Sequence, residues 1–218
     1  QTLKARPTKS IEAYNAYLRG IEYAERLDCE KESRQMAVDM FKRAIELDPD
    51  FALAYAFLSR VHSGIYKLGY DRTKERISKA KAAVDRAQQL QPELPEVHMA
   101  LGHYHAIFHK AYQRALEEYS IARKGLPNDA DILGSIAHLQ RDLGRFHEAI
   151  NNMKSAIDLK PRDAEINFQL GWTYGTLRKY SQAELYLERA ISLAPDQVLF
   201  YGVKAHNYPC WKGDLEKA

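Results

Sequence analysis

Apolar and small residues recur every three to four positions through most of the chain, which is the spacing of one face of an α-helix. The stretch from Asp163 to Pro195 carries two such faces, separated by the short polar segment 176–180. They are formed by Leu170, Gly171 and Tyr174 and by Ala183, Leu187 and Ala190. The pattern predicts two antiparallel helices that approach closely at their small residues, and a proline after the second helix ends it.

The preceding block repeats this pattern, and its closing Pro161 lies 34 residues before Pro195. A fixed period of that length indicates a stacked array of helix pairs, because one pair cannot bury its apolar face alone. Arrays of this kind present a binding surface, so the pattern indicates binding rather than catalysis.

The spacing resembles the tetratricopeptide repeat (TPR), whose signature is Trp-x2-Leu-Gly-x2-Tyr, then Ala-x3-Phe, then Pro. Leu170-Gly171, Tyr174, Ala183 and Pro195 match it, and Asn167 stands at the tryptophan position. The resemblance implies an all-α fold, a right-handed superhelical solenoid of antiparallel helix pairs. The expected order is an arm or linker over 1–10, repeats at about 11–51, 52–94, 95–129, 130–163 and 164–197, and a truncated sixth repeat at 198–218.

The second repeat is longer than the others, since its closing Pro92 lies 43 residues after Pro49. Compared with the 34-residue period, this repeat has about nine additional residues, which fall around Ser63 to Ser78. The sequence predicts either a longer first helix or an ordered loop there.

The order of regular and irregular repeats, with the segments 12–20, 44–55 and 96–102, is similar to the repeat region of multidomain bacterial signalling proteins. In those proteins an adenylate cyclase, a Ser/Thr kinase or a winged-helix DNA-binding domain precedes the array. The resemblance implies a regulatory or scaffolding role. We expect this chain to be part of such a protein, because it opens at Gln1 and ends inside a repeat.

Composition narrows the class of protein further. The 218 residues are 45% hydrophobic and 28% charged, and a net charge of +3 is too mild to predict a nucleic-acid partner. Cys29 and Cys210 lie far apart in the sequence, so we predict no disulfide and favour a reducing, cytoplasmic location. No apolar run reaches the ~18 residues of a transmembrane helix, so no membrane insertion is expected.

The chain carries no phosphate-binding loop, nucleophile elbow or His-Glu-x-x-His motif, so we predict no enzyme activity and no cofactor. One stretch is rich in histidine, and His105 and His109 in it have the spacing to share a metal ion. The pattern offers no third ligand, so we interpret these histidines as structural or surface residues and predict no metal. We interpret the basic stretch from Lys67 to Arg86 as a solvated face.

The resemblance also implies where a ligand binds, because the first helices of TPR pairs line a concave wall with their fifth and ninth positions. Those positions, with one residue a helical turn beyond His138, give the expected peptide-binding residues. They are Arg60, Met99, His103, His138, Arg141, Phe168, Trp172 and His206. We expect Trp172 to anchor an apolar side chain and Arg141 to contact an anion. For Phe168 and Trp172, packing against neighbouring repeats is the alternative.

The expected partner is therefore a protein or peptide with an apolar anchor and some acidic character. Its binding should tighten as the pH falls from about 7.5 to about 6, if the acidic ligand favours protonated histidines. Two other functions stay open. A small-molecule-sensing regulatory domain would need a closed pocket with converging polar groups, and a homo-oligomer would form through the array ends.

Overall fold

A computed structural model describes residues 7–26 and 31–212, and for 208–212 it describes the backbone alone. In these residues the chain forms eleven α-helices and no strand, which confirms the predicted fold class. The helices are α1 (Ile11–Ala24), α2 (Lys31–Leu47), α3 (Ala52–Lys67), α4 (Lys74–Leu90), α5 (Pro95–His109), α6 (Tyr112–Gly125), α7 (Ala130–Asp142), α8 (Phe146–Leu159), α9 (Ala164–Thr176), α10 (Tyr180–Leu193) and α11 (Val198–Lys212). The pattern of apolar positions therefore predicted the helices and their order.

The chain forms two compact units, Gln1–Leu126 and Pro127–Ala218. In the first unit α1 to α6 pack as three consecutive pairs, with α3 against both α2 and α5. In the second unit α7 to α10 pack as two pairs, and α11 lies against α10 and α9. The prediction of one array over residues 11–218 stays a prediction.

Small residues set how closely the two helices of a pair approach. A Cβ atom on Gly171 would lie 2.8 Å from Leu187 Cγ and 3.1 Å from the carbonyl oxygen of Ala183. Helix α9 therefore lies almost on the backbone of α10, as the small residues predicted. Gly102 has the same role in the third pair, where an added Cβ atom would lie 2.3 Å from Cε1 of Tyr119.

The long second repeat contains both structures that its sequence allowed. Helices α3 and α4 have 16 and 17 residues, whereas α9 and α10 have 13 and 14. The turn between α3 and α4 spans residues 68–73, against 177–179 in the later pair. The additional residues are thus shared equally by the two helices and the turn.

A polar network fixes this longer turn to the buried His62 of α3. Arg76 donates to Nδ1 of His62 at 2.8 Å and forms a 2.8 Å ion pair with Asp71. The hydroxyl and backbone N–H of Thr73 also donate to the Asp71 carboxylate. These hydrogen bonds lower the pKa of Asp71 to about 2. The turn is therefore ordered by its own side chains.

Two expectations fall outside the described part of the chain. They are the end of the truncated sixth repeat, at 213–218, and the arrangement of Cys29 and the Cys210 side chain. Among the helices that are described, none combines the length and apolar character that a bilayer crossing needs.

Candidate functional site

Helices α7 and α9 position the candidate residues of the second unit. Each begins after an aspartate whose carboxylate accepts backbone N–H groups, Asp129 from Ile132 at 3.0 Å and Asp163 from Ile166 at 2.9 Å. These caps satisfy donors that the first helical turn leaves unpaired. Because the two helices start 34 residues apart, His138 and Trp172 occupy equivalent positions.

The indole ring of Trp172 is an exposed aromatic surface with a rigid support. The ring is 42% exposed, and the guanidinium carbon of Arg141 lies 5.0 Å from its centroid. The ring of Phe168 lies 5.8 Å away on the same helix. Contact between a guanidinium group and an aromatic face is favourable, so Arg141 holds the indole in place.

Arg141 is itself held by three side chains, and only 11% of its own side chain is exposed. It donates to Oε1 of Gln169 and to Nδ1 of His138, the second bond at 2.9 Å, and lies 3.6 Å from the Asp142 carboxylate. Burial lowers the pKa of the guanidinium, and the Asp142 charge opposes that effect. The predicted anion contact would therefore have to form at the small exposed part of this group.

The bond between Arg141 and His138 determines which ring nitrogen carries the proton. A guanidinium group can only donate, so Nδ1 of His138 accepts and the ring proton sits on Nε2. Nε2 lies 3.7 Å from the Asp142 carboxylate. A second proton on this ring would break the bond to Arg141, which opposes the acid-induced tightening predicted from the sequence at this residue.

Phe168 and Trp172 are one helical turn apart but lie in different surroundings. Phe168 is 1% exposed and stacks on Phe200 of α11 with the ring centroids 4.5 Å apart, so it belongs to the core. Glycines stand at the equivalent positions of α7 and α11, where an added Cβ would meet no atom within 4 Å at Gly134 or Gly202. Trp172, by contrast, is 42% exposed, and His206 is exposed on α11.

In the first unit the predicted residues are Arg60, Met99 and His103. Met99 is 3% exposed, so its side chain offers no surface to a ligand. The Arg60 guanidinium carbon lies 4.8 Å from the centroid of Phe57, and the half-buried His103 forms a T-shaped ring pair with Tyr119. The prediction that these residues share one concave surface with those of the second unit stays a prediction.

The histidine-rich stretch of α5 is built into packing contacts. His98 lies 2.7 Å from the Glu118 carboxylate, and burial lowers the pKa of His105. The ring centroids of His105 and His109 lie 6.3 Å apart, with the rings tilted. Within the described residues, no three side chains able to bind a metal come together.

The basic stretch around the second repeat carries several ion pairs. Lys79 lies 2.6 Å from Glu75, Lys81 2.5 Å from Asp85, and Arg86 3.1 Å from Asp50. With the Arg76–Asp71 pair, four of the seven Lys and Arg residues from Lys67 to Arg86 are thus paired with a carboxylate.

Two groups at the candidate site were missed by reasoning from repeat positions. Gln169 links Arg141 to Glu165, to which it donates at 2.6 Å. Its spacing of four residues from Glu165 could have indicated this bond. Asp142, which approaches both Arg141 and His138, lies at the end of α7, where the repeat pattern assigns no role.

Comparison with known proteins identifies the class of fold. Residues 130–163 and 164–197 each match the family model of the tetratricopeptide repeat. No curated protein matches the chain.

Solved structures of low sequence identity share the fold over most of their length. TTC0263, a TPR protein of Thermus thermophilus, has a TM-score of 0.70 at 19% identity, over 90% of this chain and 98% of its own. PilF of Pseudomonas aeruginosa has a TM-score of 0.65 at 16% identity, over 95% and 87%. YrrB, described as a TPR protein with an unusual peptide-binding site, has a TM-score of 0.54 at 23% identity, over 92% and 98%. The fold is that of a TPR array.

Proposed function

We propose that the second unit binds a segment of a partner protein, with Trp172 as the anchor. The observation that carries this proposal is the contrast between the exposed indole and its buried support. A large aromatic ring on the surface, fixed by Arg141 and Gln169, loses little conformational entropy when a ligand packs on it.

We propose that the surroundings of Trp172 suit an apolar side chain, with His138 and His206 on a polar rim. Gly134 and Gly202, at the positions equivalent to Phe168 on α7 and α11, support this proposal, because an added Cβ would meet no atom within 4 Å at either glycine. The positive charge of Arg141 is offset by the carboxylates of Asp142 and Glu165. An apolar anchor is therefore the main determinant of binding, and an acidic residue in the ligand is a secondary one.

The structural neighbours support a role in binding. YrrB, which shares the fold over 92% of this chain, is described by its peptide-binding site. The wider role that we propose is regulatory or scaffolding, in the cytoplasm, within a larger bacterial signalling protein. The resemblance of the irregular repeats supports this role. Sequencing of the whole gene tests it, because the role requires a cyclase, kinase or winged-helix domain in the same protein.

The test uses peptides selected from a random displayed library on the intact chain, then titrated by calorimetry. We expect selected peptides to share an apolar residue and to bind the Trp172→Ala variant about tenfold or more weakly. Arg141→Met should weaken binding less, because it removes the support and the charge but leaves the ring.

Leu185→Ala is the matched control, since Leu185 is a 62% exposed apolar residue on α10. This variant should bind like the wild type. Because Trp172 and Leu185 are both at the surface, both variants should stay folded at the temperature of the titration. Selected peptides that bind Trp172→Ala as well as the wild type would exclude this site.

A further inference from the structure

The long turn between α3 and α4 carries positive charge that no neighbouring carboxylate pairs with. Of the seven Lys and Arg residues from 67 to 86, the four that follow the turn are the paired ones. The other three, Lys67, Arg72 and Lys74, lie in or beside the turn and are exposed. Within the described chain, no carboxylate comes within ion-pair distance of any of them. The paired residues fit the solvated face expected from the sequence, whereas the turn differs from it.

Two large apolar side chains lie among these unpaired cations. Leu68 is 44% exposed and Tyr70 is 37% exposed, and Gly69 between them has a φ of 84°. That left-handed conformation, which glycine adopts readily, ends α3 and turns the chain towards α4. The hydrogen bonds of Asp71 with Thr73 and with Arg76 hold the rest of the turn in place. A ligand would therefore meet a surface that is already ordered.

The end of the third helix pair adds cations beside this turn. The ring centroids of Tyr66 and Phe108 lie 4.9 Å apart, so α3 and α5 end next to each other. Lys110 directly follows α5, Arg114 lies in the first turn of α6, and both are exposed. Neither forms an ion pair with a carboxylate of the described residues. The first turn of α6 has no acidic residue, so nothing in it offsets the partial positive charge of the helix N-terminus.

These exposed residues of the two helix pairs form one surface, which we call the basic edge. It consists of Lys67, Leu68, Tyr70, Arg72, Lys74, Lys110 and Arg114. Asp71 and Glu75 lie in the same stretch, but each is paired with a cation outside the basic edge, Arg76 and Lys79. The basic edge therefore has five cations and no carboxylate of its own.

Charge and apolar surface together select the class of partner. The cations alone would suit any polyanion. An exposed leucine and tyrosine among them suit a bilayer of anionic lipids, because phosphates there lie directly above an apolar layer. Tyrosine is favoured at this depth, since its ring is apolar and its hydroxyl group is polar.

We propose that the basic edge binds the surface of an anionic lipid bilayer. Lys67, Lys74 and Lys110 would lie near the phosphates, with Leu68 and Tyr70 among the headgroups. The contact is with the surface of the bilayer and not across it. Each Lys or Arg near an anionic leaflet tightens binding about fivefold, so five of them give a factor on the order of 10³. The basic edge shares no residue with the peptide site at Trp172.

The test measures how the intact protein partitions onto lipid vesicles, by flotation. We expect binding to vesicles of phosphatidylcholine with about one-third phosphatidylglycerol, and at least about tenfold weaker binding to vesicles of phosphatidylcholine alone. Lys67→Gln combined with Lys74→Gln should weaken binding to the anionic vesicles about tenfold or more, because two cations are lost. Absence of binding, or equal binding to the two kinds of vesicle, would overturn the proposal.

A second pair of lysines provides the matched control for charge. Lys124 and Lys154 are exposed, form no ion pair with another described residue and lie outside the basic edge. Lys124→Gln combined with Lys154→Gln changes the net charge equally and should bind the anionic vesicles nearly as well as the wild type. Equal losses in the two double variants would show that net charge alone attracts the protein, and the proposed surface would be wrong.

Leu68→Ser distinguishes a bilayer from a soluble polyanion. It should weaken binding to the anionic vesicles about threefold or more, because an apolar side chain is lost from the interface. Leu159→Ser is the control, since Leu159 is 42% exposed on α8, and it should have no effect. Leu68→Trp should bind at least as tightly as the wild type, because indole favours the interface. If Leu68→Ser and Leu68→Trp both bind like the wild type, the basic edge binds a soluble anionic partner and the bilayer is excluded.

Discussion

His62 lies 2% exposed in α3 and accepts a hydrogen bond from Arg76. Burial and the positive charges of Arg76, Lys42 and Lys79 lower its pKa to about 3, with Asp71 opposing them. A histidine in the unfolded chain takes up its proton near pH 6.5. Between these two values the unfolded state binds the additional proton, so stability contributed by neutral His62 is lost as the pH falls below about 6.5.

We therefore predict that the free energy of unfolding falls by up to about 1.4 kcal/mol per pH unit below pH ~6 because of this one residue. His62→Asn keeps an acceptor for Arg76 but cannot titrate, so its stability should depend less on pH by that amount. Urea unfolding of both proteins at pH 7 and pH 5 measures the difference. Parallel losses in the two proteins would show that His62 does not carry the effect.

Asn167 is a second buried polar residue, and its two amide atoms are unequally satisfied. Its Nδ2 donates to the Asp163 carbonyl oxygen at 2.7 Å, whereas its buried Oδ1 has no donor among the described residues. We predict that Asn167→Leu, in which the two side chains are similar in size, leaves the free energy of unfolding unchanged or raises it by up to about 1 kcal/mol.

The reverse change provides the contrast for this measurement. Leu170→Asn places an amide at a fully buried position of the same helix and should cost at least about 2 kcal/mol. Equal destabilisation by the two substitutions, in thermal or urea unfolding, would contradict the idea that the Asn167 oxygen is unsatisfied.

Repeat spacing predicted which residues share a helical face, but not which of them are exposed. Phe168 and Trp172 lie one turn apart on α9, yet Phe168 is buried by Phe200 and Trp172 is open. That outcome depends on side chains of a neighbouring helix, which a single-helix pattern does not contain. The basic edge was not predicted for the same reason, because it combines residues of two helix pairs.

Two glycines that the sequence alone does not distinguish differ in their contacts with neighbouring helices, so alanine at each should change the stability in opposite directions. Gly171 contacts α10, whereas Gly134 has open space where a Cβ would be. Gly171→Ala should lower the free energy of unfolding by about 1–3 kcal/mol through overpacking. Gly134→Ala should raise it by about 0.5–1 kcal/mol, because alanine favours the helix.

Both changes can be measured by urea unfolding of the intact chain. If Gly171→Ala proves as stable as the wild type, the close approach of α9 and α10 does not limit the size of this residue. A loss of stability in Gly134→Ala would mean that its open space is filled in solution.

The spacing of the prolines specifies the length of the second repeat, but not how its residues divide between helices and turn. The proline spacing gave the number of additional residues, because it counts positions between two helix ends. It did not show that α3, the turn and α4 each take three of them, which depends on the bonds of Arg76 with His62 and Asp71.

For the chain as a whole, the fold class followed from the sequence because a 34-residue period is a property of many residues together. The sequence predicted the candidate binding residues less completely than the fold class. Repeat position identified Trp172 and Arg141 as neighbours, but the hydrogen bonds that hold Arg141 arise from side chains outside the repeat signature. The division into two compact units was not predicted at all.

The two proposed sites belong to different units and share no residue, so their ligands should bind independently. In a double variant, Trp172→Ala with Leu68→Ser, the loss for each ligand should equal that of the relevant single variant. We expect agreement within about 0.5 kcal/mol, as for separate sites. Calorimetric titration of the four proteins with a library-selected peptide, and their flotation with anionic vesicles, measure this. A larger discrepancy would show that occupation of one site changes the other, and the array would then couple its ligands instead of binding them separately.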